Sequence, residues 1–250
     1  MPLHDWTRVD AGICHDFHLA WIAEIRRELN GGLLPSGYYA LAEQVAGGGN
    51  PDVLTLHEPH GNGHTSDQFP TEGVGTALLT APPQTRLVAK SEHEFYTAKR
   101  RRMVIRHTSG DRIVAMVEIV SAGNKASEYA WQTVSDKALA ALSRGVHLLV
   151  LDAYPPTPRD PNGFHGALWE QLDGTAYACP GDADRTLAAY SAGPVKTAYI
   201  EPVAVGQVLR SMPLFLTTDG TGYIEVPLES TYRRAFEGVP RRYRAVLEAA

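Results

Sequence analysis

Cysteine is nearly absent from this 250-residue chain: only Cys14 and Cys179 occur. Two thiols are too few for a disulfide framework or a cysteine-built zinc site, so a reducing compartment is expected. Long apolar runs are missing as well. The opening MPLHDWTRVD is polar and acidic where a secretory leader would be basic and then apolar, and no stretch is apolar for long enough to span a bilayer. The expectation is therefore a cytoplasmic protein without a membrane partner. Basic residues are outnumbered, 23 Lys and Arg against 28 Asp and Glu, for a formal charge of -5. Such a surface repels a polyanion unless its cations gather on one face, which counts against a processive nucleic-acid enzyme. Nor is there a Walker or dinucleotide-binding glycine motif, and Ser121 has no Gly-x-Ser-x-Gly setting, which argues against a nucleotide-binding enzyme or a serine hydrolase.

What is present reads as one globular α/β domain over residues 1–250, since 44% of residues are hydrophobic and 20% charged. Phe17, Trp21, Ile25 and Leu29 recur every four positions and predict an amphipathic helix ended by Asn30-Gly31-Gly32. Strands are expected from Tyr38 to Val45 and from Val53 to Leu56, with Gly47-Gly48-Gly49-Asn50 between them. An insertion over about residues 57–100, rich in Gly, Pro, His and Thr at its start, separates this pair from the C-terminal part of the chain. Further strands are expected at Arg86 to Lys90, Met103 to Thr108 and Arg112 to Ser121, the last two as a hairpin about Ser109-Gly110-Asp111. Glu128 to Arg144 reads as a helix with Trp131, Val134, Ala138 and Leu142 on one face, and His147 to Asp152 as an apolar strand. Strand, helix, strand at that spacing predicts a parallel crossover. A short helix near Gly166 to Leu172, strands at Thr186 to Tyr190, Lys196 to Ile200 and Tyr223 to Val226, and closing helices from Thr231 and Arg241 complete the pattern.

The chemistry is carried by acidic residues beside or within these strands: Glu43, Asp52 after Pro51, and Glu118 inside the apolar run IVAMVEIVS. Burying an isolated carboxylate is costly, so a cluster of them calls for a purpose, and binding Mg²⁺ or Mn²⁺ is the simplest. An Asp preceded by Pro, a Glu within an apolar strand and a nearby Lys form the arrangement that holds a metal and orients water for phosphodiester hydrolysis. The usual lysine two residues after the Glu is replaced by Val120. Lys125, just past the strand, and Lys137, on the next helix, are the candidates to supply its charge.

The stretch VAMVEIVSAGNK, followed after a helix start by DKALAALSRGVHLLVLD, resembles the bacterial domain-of-unknown-function 4058 family and, more distantly, the Uma-type restriction endonucleases. Shared features are the strand end Glu118-Ile119-Val120-Ser121 and Lys137 eight residues before Gly145-Val146. The segments HDWTRVDAGICHDFH, YYALAEQV, PDVLTL and SMPLFLTTDG also resemble the first family, so the likeness covers most of the chain. It implies a restriction-endonuclease-like mixed sheet flanked by helices, with the insertion lying between the second core strand and the Glu118 strand. It also implies that Glu43, Asp52, Glu118 and Lys137 stand at the positions of a PD-(D/E)XK nuclease.

Each of these signals has a plainer reading. Asp52 could close a turn and Glu118 could salt-bridge a neighbouring arginine such as Arg106; on that reading the chain is an inactive binding or scaffolding protein on the same fold. His57, His60 and His64 fall in a loop-like composition rather than a zinc motif and read as a polar loop. His4, Asp5, His15, Asp16 and His18 read as fasteners of the N-terminus. Lys99, Arg100, Arg101 and Arg102 are the candidate nucleic-acid contact, with a solvated face as the alternative.

Overall fold

The computed structural model describes residues 2–42, 53–57, 78–91 and 112–249, with strand 53–57 and Ser91 described through the backbone alone. Helix α1 spans Ala11–Glu28, and its four-residue stripe is the buried one: Phe17, Trp21, Ile25 and the following Leu29 all face the core. Strand β1 (Tyr38–Leu41), β2 (Val53–His57), β3 (Leu87–Ser91) and β4 (Arg112–Val120) follow. A single-turn helix α2 (Ala122–Lys125) then leads to α3 (Glu128–Ser143), capped by the Ser127 hydroxyl, which accepts from the Ala130 amide. The predicted stripe Trp131, Val134, Ala138 and Leu142 is buried here too. Strand β5 (His147–Asp152), helix α4 (Gly163–Asp173), β6 (Arg185–Ser191), β7 (Lys196–Val203), the hairpin β8 (Met212–Phe215) and β9 (Tyr223–Val226), α5 (Leu228–Glu237) and α6 (Arg241–Glu248) complete the described chain.

Among the described residues, seven strands form one mixed sheet in the order β1-β2-β4-β5-β6-β7-β3, and β8-β9 is a separate two-stranded unit. The β4–β5 pair is parallel, and the other pairs within the large sheet are antiparallel. A parallel pair needs a crossover, and the segment between β4 and β5 holds α3, as the strand-helix-strand spacing predicts. Strand β3 does not join its sequence neighbours. It pairs with β7, Leu87 opposite Ile200, at the far edge of the sheet from β1.

Two cores lie on the two faces of the sheet, as alternation along a doubly covered strand requires. Ala115, Val117 and Ile119 of β4 pack with α1, α5 and the β8-β9 unit, whereas Met116 and Val120 pack with α3 and α4. Residues Val114 to Val120 are buried without a break, so β4 is the central, doubly covered strand that its near-continuous apolar run predicts. Glu118 is the one charged residue in that buried stretch. The N-terminal segment is tied down by α5: Tyr232 Oη lies 2.9 Å from His4 Nδ1 and accepts from the Trp6 indole at 3.1 Å. His4 also stacks on Phe236 at 4.0 Å between ring centroids, so it fastens the terminus. The predicted strand Met103 to Thr108 lies outside the described residues. Unpredicted were α2, too short for a periodic signal, and β8, whose Pro213 reads as a strand breaker.

Candidate functional site: a buried ion pair beside a lysine cage

Parallel pairing of β4 with β5 places Glu118 opposite Val150 and Val120 opposite Asp152. Because side chains alternate, Glu118 and Asp152 project from the same face, the one covered by α3 and α4. Two carboxylates thus rise from adjacent strands near their C-terminal ends, and each is met by a different lysine.

Glu118 is 5% exposed, and its carboxylate is in direct ion contact with the Lys137 ammonium. Lys137 reaches it because residue 137 sits on α3 beside the buried Val134 and Ala138, so the stem runs along apolar surface and only the ammonium needs a partner. Breaking such a pair by neutralising one member costs about 3–5 kcal/mol, because the other charge is left buried. The strand and helix expected to carry the Glu and the Lys do bring them together.

Lys125 goes elsewhere. Ser121 and Asn124 form a reciprocal cap around α2, with the Ser121 amide donating to Asn124 Oδ1 at 2.8 Å, and this turns Lys125 inward. Its ammonium stands 2.9 Å from Asp152 and 2.7 Å from Asp160, and it donates towards the carbonyls of Tyr154 at 3.1 Å and Pro155 at 3.2 Å. All three side chains are almost wholly buried. Three ammonium protons therefore face four acceptor groups, and the cage is an all-oxygen shell filled by a tethered cation. Asp152 further accepts from the Phe164 amide at 2.8 Å, supplying the cap that Asn162 does not give α4. Burial pushes the Asp152 carboxyl up from its ordinary range, and Lys125 and the Phe164 amide pull against that. Gly163, at φ 73°, lets the chain turn from the loop into α4 beside Asp152 and Thr186.

Behind the cage lies a second buried polar group. His165 Nδ1 is 2.7 Å from Tyr190 Oη, and burial pushes the imidazole down to about 4. His147, at the start of β5, is likewise pushed down by burial to about 4; its Nδ1 accepts from the Ala192 amide at 2.9 Å and its Nε2 lies 2.8 Å from the Thr217 carbonyl.

Glu43, Asp52, Lys99, Arg100, Arg101 and Arg102 lie outside the described residues, as do His60, His64 and Arg106. His57 ends β2, its side chain outside the description. Among the described residues no group of three or more His, Cys, Asp and Glu is arranged to hold a metal ion, and Glu118 is the one proposed metal ligand that falls within them. Sequence reasoning passed over Asp152 and Asp160. Asp152 carried the same signal as Glu118, an acid at the end of an apolar strand, whereas Asp160 sits in a proline-rich loop with no periodicity to mark it. Among the described residues no helix is long and apolar enough to cross a membrane. Comparison of the chain with protein-family models, with curated proteins and with solved structures finds no match.

Proposed function

We propose that the chain is a PD-(D/E)XK-type protein on a restriction-endonuclease-like fold, acting as a Mg²⁺- or Mn²⁺-dependent nuclease. The observation that carries this reading is the Glu118–Lys137 pair, an acid buried inside a central strand and met by a lysine from the crossover helix. The mixed sheet flanked by helices, with α3 crossing between the parallel strands β4 and β5, supports the assignment. Val53 pairs with Val117, the neighbour of Glu118, and Asp52 is the residue before Val53 in the chain. Glu118 is a hard oxygen ligand of the kind Mg²⁺ takes one or two of, with water filling the remaining positions. On this reading Glu118 would hold the ion with Asp52 and Glu43, and a bound ion would supply a water of lowered pKa. Lys137 would hold positive charge beside Glu118, where negative charge grows on the phosphate during attack. Lys125, enclosed by Asp152 and Asp160, would act by fixing the loop after β5 rather than by touching substrate.

A second reading keeps the fold and drops the chemistry: a binding or scaffolding protein. Val120 in the place of the usual lysine, and the neutralisation of Glu118 by Lys137, favour it. Cleavage of plasmid DNA, single-stranded DNA and RNA with Mg²⁺ or Mn²⁺ separates the two. Wild type should cleave at least one substrate, while Glu118→Gln and Lys137→Met should each lose about 100-fold or more, as loss of a preorganised charge does. Thermal unfolding of each variant must show a folded protein. No metal-dependent cleavage and no calorimetric Mg²⁺ or Mn²⁺ binding by wild type would leave the binding protein as the reading.

A further inference from the structure

On the sheet face opposite Glu118, a cleft of about 270 Å³ opens over β6 and β7. Leu187 and Val203 lie beneath it as buried members of the core on the α1 side, and Val208, at 60% exposure, stands at its surface. Glu201, opposite Leu187 in register, points to the same face and its side chain is 7% exposed. Its charge is already matched: Arg86 Nε lies 2.9 Å from one carboxylate oxygen, the Arg86 amide donates to the other at 3.2 Å, and Arg86 Nη2 donates to the Pro202 carbonyl. Arg86 is thereby fixed in place at the rim.

Arg210 lines the same cleft with its side chain 64% exposed, and its Nε stands 3.7 Å from Glu201, beyond hydrogen-bond reach. Among the described residues lining the cleft, two guanidiniums share one carboxylate, and Arg210, in longer ion contact with it, keeps a fork that is not hydrogen-bonded. A planar fork with free N–H groups matches a carboxylate in two-point fashion, and one negative charge balances the site. Val208, exposed at the same cleft, offers an apolar contact to the rest of such a molecule.

We propose that this cleft is a binding site for a small organic monocarboxylate, its carboxylate on Arg210 and the outer edge of Arg86, its apolar part against Val208. The proposal is independent of the nuclease reading. Benzoate serves as probe, titrated into the full chain at constant ionic strength while the arginine Nε–Hε signals are followed by NMR. Benzoate should shift the Arg210 and Arg86 signals saturably, and acetate, which lacks the apolar body, should bind roughly tenfold more weakly. Arg210→Gln, at an exposed position that leaves the core untouched, should weaken benzoate roughly tenfold or more, and Arg210→Lys should restore part of the loss. No saturable shift with benzoate, an equal response to chloride, or unchanged affinity in Arg210→Gln would overturn the site. Equal affinity for acetate would overturn the apolar contact.

Discussion

Lowering the pH from 7 should destabilise this protein through two histidines before its carboxylates matter. His147 is neutral in the fold because its Nδ1 must accept the Ala192 amide, and protonating that nitrogen would set two N–H groups against each other. Burial is the larger cause, with Lys196 and Arg112 adding to the depression and the Thr217 carbonyl and Asp219 opposing it. His165 is depressed by burial alone. Each falls from an ordinary 6.5 to about 4. Between those values the unfolded chain binds more protons than the folded one, so stability falls as pH is lowered through 6.5 and the loss levels off near 4. Linkage gives about 2 kcal/mol per histidine lost by pH 5 and about 3 kcal/mol by pH 4. Together that is a large part of the roughly 5–15 kcal/mol a domain possesses. Urea unfolding from pH 7 to 5, compared between wild type and the His147→Gln/His165→Gln double variant, measures it. The double variant should start less stable and decline less steeply. Parallel pH profiles in the two proteins would show that the histidines are not held neutral by the fold, and the reasoning would fail.

Replacing Lys125 by Met should cost about 3–5 kcal/mol in unfolding free energy, since it leaves Asp152 and Asp160 buried without their cation. Adding Asp160→Asn to that variant should recover part of the loss, and additive costs would refute the cage as a coupled unit. Tyr232→Phe removes the hydroxyl that serves the His4 amide, the His4 ring and the Trp6 indole, and should cost about 1–3 kcal/mol. Faster amide exchange confined to residues 3–8 would mark the released terminus, whereas unchanged protection there would refute its role as the fastener.

The elements that periodicity could reach were legible: the α1 and α3 stripes, the unbroken apolar strands β4 and β5, and the parallel crossover between them. In the site, Glu118 stood out because an acid inside a central strand has few inexpensive explanations, and Lys137 was placed by resemblance to a family pattern. What escaped were partners set by tertiary approach. Nothing in the spacing of Lys125, Asp152 and Asp160 announces that a one-turn helix, a strand end and a proline-rich loop converge on one ammonium. Strand β3 illustrates the same limit. The run Arg86 to Lys90 reads as a strand, but its pairing with β7 is set by tertiary approach, a property no local window contains.

The covering of α1 has a consequence for how the chain is made. Trp21 donates its indole proton to Thr231, 210 residues later in sequence, and the aromatic face of α1 is closed by Tyr232 and Phe236. At about 5–20 residues per second a ribosome needs roughly 10–40 s to synthesise that interval. During it the stripe Phe17, Trp21, Ile25 has no native lid, so the nascent chain displays a greasy helix until α5 has emerged. Chaperone holdases should therefore associate with ribosome-bound chains that stop short of α5 and release those that extend past it, as co-purification with the two nascent chains would show.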